Sequence, residues 1–250
     1  MTVESGMAWS WTRVGALIHK ELRDFRRNRF ILFTMAVLPI ILVALPMVQL
    51  FTIPAAAAST TLDTHIGLGM LYMLLIPAVV PSALAAYSVV GERDQGTLES
   101  VLVTPIRREE FLVGKALAAF LPAQIVAYAV FGVFLACAAL FSAPGVASAI
   151  FHGNHILIQV LFTPLLSGWS IWVGIAISTR SVDVRVAQQL SMFASLPPLA
   201  LVSLMALNVI TPTVGLALGI AAAFIALDGL GWRAVATLFD RERLVTGGTA

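Results

Sequence analysis

The chain has 250 residues, of which 59% are hydrophobic and only 11% are charged, and its formal net charge is +2. Soluble domains usually carry about 25% charged residues, so this composition excludes a water-soluble fold and indicates an integral membrane protein. The single cysteine, Cys137, lies in an apolar run, which excludes a disulfide framework and a thiolate metal cluster.

The N-terminal segment, residues 1–29, is polar and basic and lacks the pattern of a cleavable signal peptide. Within it, apolar residues recur at spacings of three and four: Trp11, Val14, Ile18, Leu22 and Phe25. Charged residues lie on the other side: Arg13, Lys20, Asp24 and Arg27. This pattern predicts an amphipathic helix over residues 9–29 that lies along the membrane interface. The alternative is a basic flank that only sets the topology.

Six apolar runs follow, and each is long enough to cross a bilayer, which takes about 20 residues. They are Phe30–Ile53, Ile66–Val90, Phe111–Phe141, Ile156–Ser178, Gln188–Asn208 and Pro212–Trp232. Several contain proline, which membrane helices tolerate because neighbouring groups satisfy the freed carbonyls. We therefore predict an all-α integral membrane protein with one domain over residues 1–250. It comprises an N-terminal tail with the interfacial helix (1–29), a six-helix bundle (30–232) and a C-terminal tail (233–250).

The lysines and arginines predict the orientation of this bundle. All 15 of them lie before the first span, between the second and third or at the base of the third, between the fourth and fifth, or after the sixth. The other three loops, residues 54–65, 142–155 and 209–211, contain none. Because basic loops stay on the cytosolic side, both termini are predicted to be cytosolic.

The spans contain almost no ionisable residues, with Asp228 near the end of the sixth as the exception. Ion-coupled carriers usually keep charged groups in the middle of the membrane, so a solitary channel or carrier is disfavoured. A membrane-embedded enzyme is disfavoured because the sequence has no recognisable catalytic cluster. It also has no phosphate-binding loop, so any nucleotide must be bound by another chain. His152 and His155 in an outer loop are too few for a good metal site.

The longest polar stretch inside the membrane domain runs from Gly91 to Lys115 and reads GERDQGTLESVLVTPIRREEFLVGK. Gly96 permits a sharp turn at the end of the second span, and Thr97 can cap a short helix after it. The apolar face of that helix would consist of Leu98, Val101 and Leu102. A partner protein at the membrane surface would cover this face. On these grounds alone, an ordinary connecting loop is an equal alternative.

The same stretch resembles the signature of ABC-2 type transporter permeases. The matching residues are Glu92, Arg93, Asp94, Gln95, Gly96, Thr97, Leu98, Glu99, Leu102, Thr104, Pro105, Arg108, Glu109, Gly114 and Lys115. Residues 20–24 resemble the connecting, or elbow, helix of that family, residues 178–189 its second cytosolic loop, and residues 238–243 its tail. The resemblance therefore extends over nearly the whole chain.

Membership of that family would imply a half-transporter in the cell membrane. Two permease subunits, identical or different, would enclose a path, and each would dock on a separate ATP-binding subunit that carries ATP and Mg²⁺. This chain would bind no cofactor or metal itself, and its other partners would be lipids, with no nucleic acid. Residues 97–103 would form the coupling helix, within a coupling segment made of Glu92, Arg93, Gly96, Thr97, Leu98, Glu99 and Leu102. Glu92 and Glu99 are expected to position this segment by pairing with Arg93 or Lys115.

Polar and aromatic residues inside the spans are candidates for lining the path: Gln49, Tyr72, Gln124, Tyr128, Gln159 and Trp169. For half of them, hydrogen bonds to neighbouring helices are an equally good explanation. An apolar path with few charges favours export of lipophilic compounds such as drugs or antibiotics. Export of glycans or glycolipids is the second choice, and a non-transporting membrane anchor or regulatory subunit is the third.

Overall fold

A computed structural model describes residues 8–52, 59–94, 96, 106–152, 154–210 and 213–238. These residues form helices joined by short connections and contain no strand, which confirms the predicted all-α fold class. The helices are α1 (Trp11–Arg27), α2 (Arg29–Thr52), α3 (Ser59–Asp94), α4 (Arg108–Phe141), α5 (Pro144–His152), α6 (His155–Arg180), α7 (Val184–Ala194), α8 (Leu196–Ala206) and α9 (Val214–Leu238).

Helix α1 is amphipathic, as predicted, but the face that it buries is rotated from the predicted one. Val14 and Phe25 are buried, whereas Trp11 is 67% exposed. The buried face is completed by Leu17 and by the charged residue Glu21. A carboxylate on this face requires a counter-charge from the bundle. The placement of α1 along the membrane interface stays a prediction.

Asn28 separates α1 from α2. Its backbone is extended, with φ −90° and ψ 109°, so α1 ends there. Its side-chain oxygen accepts hydrogen bonds from the backbone N–H groups of Phe30 (2.9 Å) and Ile31 (3.3 Å). Asparagine is among the preferred residues for capping a helix N-terminus in this way. One residue therefore ends the amphipathic helix and starts the first membrane-spanning helix.

The described residues contain six helical segments that are long and apolar enough to cross a membrane, in agreement with the six predicted spans. They are α2, α3 from Leu62 onwards, α4, α6, α7 together with α8, and α9. Most of the apolar window of α3 (83%) is buried inside the subunit, against 22% for both α2 and α9. Helix α3 is therefore the central helix: α2, α4, α6, α7 and α8 pack against it, and α9 packs mainly against α6.

Two features depart from the predicted spans. The fifth span, predicted as one run, is broken at Ser195 into α7 and α8. Pro197 and Pro198 at the start of α8 lack backbone N–H donors, which interrupts the helical hydrogen bonds. In addition, the outer loop 142–155 contains a helix, α5, which the sequence did not predict. Val146 and Ile150 of α5 are buried in the apolar core at that end of the bundle.

Small residues of α6 bring it against α3. A Cβ atom on Gly174 would lie 2.8 Å from the Cβ atom of Ala85, so only glycine allows this approach. One turn later, the Ser178 hydroxyl donates to the Ala86 carbonyl (2.6 Å) and accepts from the Val90 N–H (3.0 Å). A side chain inserted between a helical donor and its acceptor in this way is a recognised cause of helix bending. Helices α3 and α6 are therefore locked together just before α3 ends.

Candidate functional site: a charged junction next to the coupling segment

Four charged side chains from three helices meet where α3 ends and α4 begins. They are Lys20 and Glu21 of α1, Glu92 of α3 and Lys115 of α4, and we call them the charge cluster. The Lys115 Nζ atom lies 2.8 Å from Glu21 Oε1 and 2.9 Å from Glu92 Oε2. Lys20 forms a second ion pair with Glu92 and lies 3.5 Å from Glu21. The pairing of Glu92 with Lys115 is one that the sequence had suggested.

Three of the four residues of the charge cluster are buried, and the charges balance because two ammonium groups face two carboxylates. The Lys115 side chain has no exposed surface, and the Glu21 and Glu92 side chains are 4% and 8% exposed. The third acceptor beside Lys115 Nζ is the Ser88 carbonyl at 2.6 Å, so each of its three N–H donors has an acceptor within reach. Burial raises the pKa of the Glu21 carboxyl, and Glu92 adds to this rise while Lys115 and Lys20 oppose it.

A second ion pair joins the beginnings of α1 and α4. The Arg13 guanidinium donates to both carboxylate oxygens of Glu110, at 2.8 and 2.7 Å. The buried Glu110 carboxylate also accepts the backbone N–H groups of Ser10 (2.7 Å) and Arg107 (3.1 Å). This two-pronged geometry is stronger and more specific than a single charged contact. Helix α1 is thus held to α4 at its start by Arg13 and further along by the charge cluster.

Gly114 explains why α1 approaches α4 so closely. A Cβ atom there would lie 2.6 Å from Leu17 Cδ2 and 3.2 Å from Leu17 Cβ, both on α1. The next residue, Lys115, then points its ammonium group between α1 and α3. The Gly-Lys pair at the start of the third span therefore combines close packing with the central charge of the cluster.

The coupling segment begins at the end of α3. The Arg93 guanidinium donates to the carbonyls of Ser181 (3.0 Å) and Thr179 (3.4 Å), which ties the end of α3 to the end of α6. Gly96 is exposed and has a φ of +65°, the left-handed conformation that favours glycine after a helix C-terminus. The predicted turn at Gly96 is therefore present. Four other members of the predicted segment, Thr97, Leu98, Glu99 and Leu102, lie outside the described residues.

Several candidate pathway residues donate hydrogen bonds to carbonyls that proline leaves without a helical donor, and their lining of a path stays a prediction. Pro164 has no N–H for the Val160 carbonyl, and the Tyr128 hydroxyl of α4 donates to that carbonyl at 3.0 Å. Pro198 likewise leaves the Ala194 carbonyl free, and the Trp169 indole donates to it at 3.0 Å. These two aromatic residues therefore satisfy backbone groups across helix boundaries.

Gln124 takes part in a third arrangement of this kind. Pro81 has no N–H for the Pro77 carbonyl of α3, and the Ser167 hydroxyl of α6 donates to this carbonyl at 3.2 Å. The Gln124 amide of α4 in turn donates to the Ser167 oxygen at 2.7 Å. In a bilayer such freed carbonyls must be satisfied within the protein. These contacts give Gln124 a structural role, and its lining of a path stays a prediction.

The remaining three pathway candidates lie in the half of the bundle farther from the charge cluster. Gln159 is buried and its amide donates to the Thr163 hydroxyl, one turn along α6, at 3.3 Å. Tyr72 is partly buried against the apolar core at that end. The side-chain oxygens of Gln49 and Gln159 are buried without a hydrogen-bond partner. Polar atoms of this kind favour a wet path, but whether these residues line one stays a prediction.

Asp228, the one acidic residue noted inside the predicted spans, interlocks α9 with α6. Its Oδ1 atom accepts the Trp172 indole N–H at 3.1 Å. A Cβ atom on Gly168 would lie 2.8 Å from Asp228 Oδ2, and one on Gly231 would lie 2.3 Å from the Trp172 ring. Each helix therefore supplies a glycine that makes room for the other helix's polar side chain.

Two buried carboxylates at this junction escaped prediction from the sequence. Glu21 and Glu110 are each buried and each paired with a cation from a distant part of the chain. A signal for Glu21 was present, since it lies four residues before Phe25 and seven after Val14 on the buried face of α1. Among the described residues, no three His, Cys, Asp or Glu side chains come together as a metal site.

Comparison with protein families gives a match over most of the chain. A model described as "ABC-2 family transporter protein" matches residues 15–226, from within α1 to within α9. The matched range includes all four residues of the charge cluster. No curated protein matches the chain.

Proposed function

Because this chain belongs to the ABC-2 transporter family, we propose that it is the membrane-spanning permease subunit of an ATP-binding cassette exporter. A separate ATP-binding subunit would supply the energy, and ATP with Mg²⁺ would bind there. A second permease subunit, identical or different, would complete the path. The assembly would lie in the cell membrane with both termini of this chain in the cytosol.

The observation that carries the proposal is the charge cluster next to the turn at Gly96. Residues 97–103, the proposed coupling helix, follow α3 directly. The end of α3 is bonded to α1 and α4 through Glu92, and to α6 through Arg93. A push or pull on residues 97–103 would therefore be transmitted to three other helices rather than absorbed in a loose connection.

The proposed mechanism needs only two conformations of the assembly. Nucleotide would bind the partner subunits more tightly in one conformation than in the other, which is how a ligand shifts such an equilibrium. Closure of the partner subunits would move the two coupling helices, and the charge cluster would carry this motion into α1, α3 and α4. Hydrolysis would return the assembly to its starting conformation.

The proposed substrates are lipophilic compounds such as drugs or antibiotics. This proposal is supported by the apolar character of the six spans and by the small number of charged groups within them. A lipophilic substrate needs few polar contacts, whereas a sugar would need many hydrogen-bonding side chains along its path. Glycolipid export is the second candidate, favoured by the buried unpaired oxygens of Gln49 and Gln159.

The experiment is to co-purify this subunit with its candidate ATP-binding subunit in nanodiscs and to measure ATP hydrolysis with and without lipophilic compounds. We expect a stable complex whose activity changes with some of these compounds. Glu92→Gln and Leu98→Asp should abolish that response while the subunit still inserts in the membrane. Glu109→Gln is the matched control, because the Glu109 side chain is 64% exposed and lies outside the charge cluster.

Two outcomes would contradict the proposal. If a folded subunit co-purified with no ATP-binding partner, the anchor or solitary-carrier interpretations would replace it. If Glu92→Gln and Leu98→Asp both kept a normal response to compounds, residues 92–103 would not be the coupling segment. A response to lipid-linked sugars alone would favour glycolipid export.

A further inference from the structure

An apolar cavity of about 380 Å³ lies between α1, α2 and α4. Its walls come from Leu22 and Phe25 of α1, Leu32 and Met35 of α2, and Pro122 of α4. The cavity opens towards the outside of the subunit, where Leu32 is 43% exposed. Because α2 is long and apolar enough to cross the membrane, we expect this opening to face lipid rather than water.

The α1 wall of the cavity carries two arginines, which line it with their apolar stems because almost all of its lining surface is apolar. His19, Leu22, Arg23 and Arg26 all line it, and their spacing of three, four and seven residues puts them on one face of the helix. Two earlier basic residues of this helix, Arg13 and Lys20, form ion pairs with buried carboxylates. In the part of the chain that the structure describes, neither Arg23 nor Arg26 has an acidic partner.

We propose that this cavity is a binding site for an anionic phospholipid of the leaflet next to the charge cluster. One acyl chain would occupy the apolar cavity, and the headgroup phosphate would lie against Arg23 and Arg26. Guanidinium groups match the geometry of phosphate oxygens, and basic pockets between membrane helices recognise anionic headgroups. A soluble anion would use the two arginines but would leave the apolar walls uncovered.

Such a lipid would also bridge α1 and α2, which are joined at the turn around Asn28. The acyl chain would contact both helices and α4 at the same time, since all three contribute to the walls. The bound lipid would therefore help to hold α1 against the bundle, beside the charge cluster. This inference does not depend on transport or on an ATP-binding partner.

The test uses the full-length subunit in nanodiscs that contain both phosphatidylglycerol and phosphatidylcholine. Lipids that stay bound are counted by native mass spectrometry, and a photoreactive acyl chain maps the contact. We expect retention of phosphatidylglycerol over phosphatidylcholine, with labelling confined to residues 22–35 and the region of Pro122. Each arginine is expected to contribute about a fivefold preference, so Arg23→Gln with Arg26→Gln should lower it roughly 25-fold.

Two further variants separate charge from shape. Leu32→Trp fills the opening but keeps both arginines, and should abolish acyl-chain labelling. Arg180→Gln with Arg185→Gln removes two basic residues from the ends of α6 and α7 and should change neither readout.

The proposal would be overturned by equal retention of the two lipids, or by an unchanged preference in the Arg23→Gln, Arg26→Gln variant. Displacement of the lipid by glycerol phosphate at low concentration would indicate a soluble-anion site, and would also overturn it. Labelling elsewhere in the bundle would show that the cavity is not the site.

Discussion

The ammonium group of Lys115 lies at the centre of the charge cluster and has no contact with solvent. Breaking a buried ion pair by removing one partner usually costs about 3–5 kcal/mol, because the other charge stays buried without compensation. Here the loss of Lys115 would leave two carboxylates, Glu21 and Glu92, close together. We therefore predict that Lys115→Met destabilises the purified subunit by about this amount, as measured by thermal or denaturant unfolding in detergent.

The matched control is Lys20→Met, which removes the same kind of side chain from the same cluster. Lys20 is 34% exposed, so solvent screens its charge and the cost should be at most about 1 kcal/mol. Equal losses in the two variants would show that burial does not set the energy of the cluster.

The loss in Lys115→Met should also depend on pH. Burial and the Glu92 charge already raise the pKa of Glu21, and removing the ammonium group raises this pKa further. A carboxyl whose pKa is raised by folding binds protons more readily in the folded state, so it favours folding as the pH falls. The gap in stability between the variant and the original protein should therefore narrow towards acidic pH. Unfolding measured at a series of pH values checks this, and a gap that widened on acidification would contradict it.

Gly114 provides a second prediction at the scale of one residue. In Gly114→Val, the new side chain would meet Leu17 at distances well below van der Waals contact and would push α1 away from α4. Overpacking of this kind costs about 1–3 kcal/mol. Gly132→Val lies in the same helix and meets nothing within 4 Å, so it should be nearly neutral. Melting temperatures of the two variants test the difference, and similar values would exclude close packing as the role of Gly114.

Helices that contain proline depend on donors from their neighbours. Tyr128 of α4 donates to the carbonyl that Pro164 leaves free in α6, so the two residues should be coupled in energy. We predict that Tyr128→Phe costs about 0.6 kcal/mol, the average for hydrogen bonds between membrane helices. In a Pro164→Ala background the helix supplies its own donor, and the cost should largely disappear. A double-mutant cycle measures this coupling.

The comparison that tests this coupling is Tyr72→Phe, in both the original and the Pro164→Ala backgrounds. Its effect should be the same in the two, because Tyr72 lies in α3 and does not contact the freed carbonyl. If Tyr128→Phe cost the same in the two backgrounds, the Val160 carbonyl would have to be satisfied in some other way.

The spans could be predicted from the sequence because bilayer thickness sets a minimum length for an apolar run. Short helices are not subject to that rule, and α5, from Pro144 to His152, was missed for this reason. The break at Ser195 was also missed, although Pro197 and Pro198 gave a local signal for it. Apolar content alone does not distinguish a continuous helix from two short helices in line.

The candidate site was harder to predict than the spans. Glu92 and Lys115 lie close in sequence, on either side of one connection, and could be paired in advance. Glu21 and Lys115 are 94 residues apart, and their contact depends on how α1 packs on α4. The Glu110 carboxylate is likewise claimed by Arg13, 97 residues away. Patterns within one helix indicate a buried face, but they do not identify the charged residue opposite.

The lysines and arginines of the described residues all lie at one end of the bundle. The contact of Arg93 with the end of α6 and the charge cluster show that α3 and α6 end, and α4 begins, at the same end of the bundle. Since consecutive spans run in opposite directions, the start of α2 and the end of α9 share this end. The basic residues of the described loops and helix ends therefore face one side of the membrane, and the positive-inside rule predicts that this side is cytosolic.

Two exposed valines at opposite ends of the bundle test that orientation. Val182, between α6 and α7, is 84% exposed at the basic end, and Val209, after α8, is 68% exposed at the other end. With Cys137→Ala as the background, a membrane-impermeant maleimide should label Val209→Cys in intact cells. It should label Val182→Cys only after the cells are opened. The reverse pattern would invert the orientation, and the connection between α3 and α4 would then face away from any ATP-binding subunit in the cytosol.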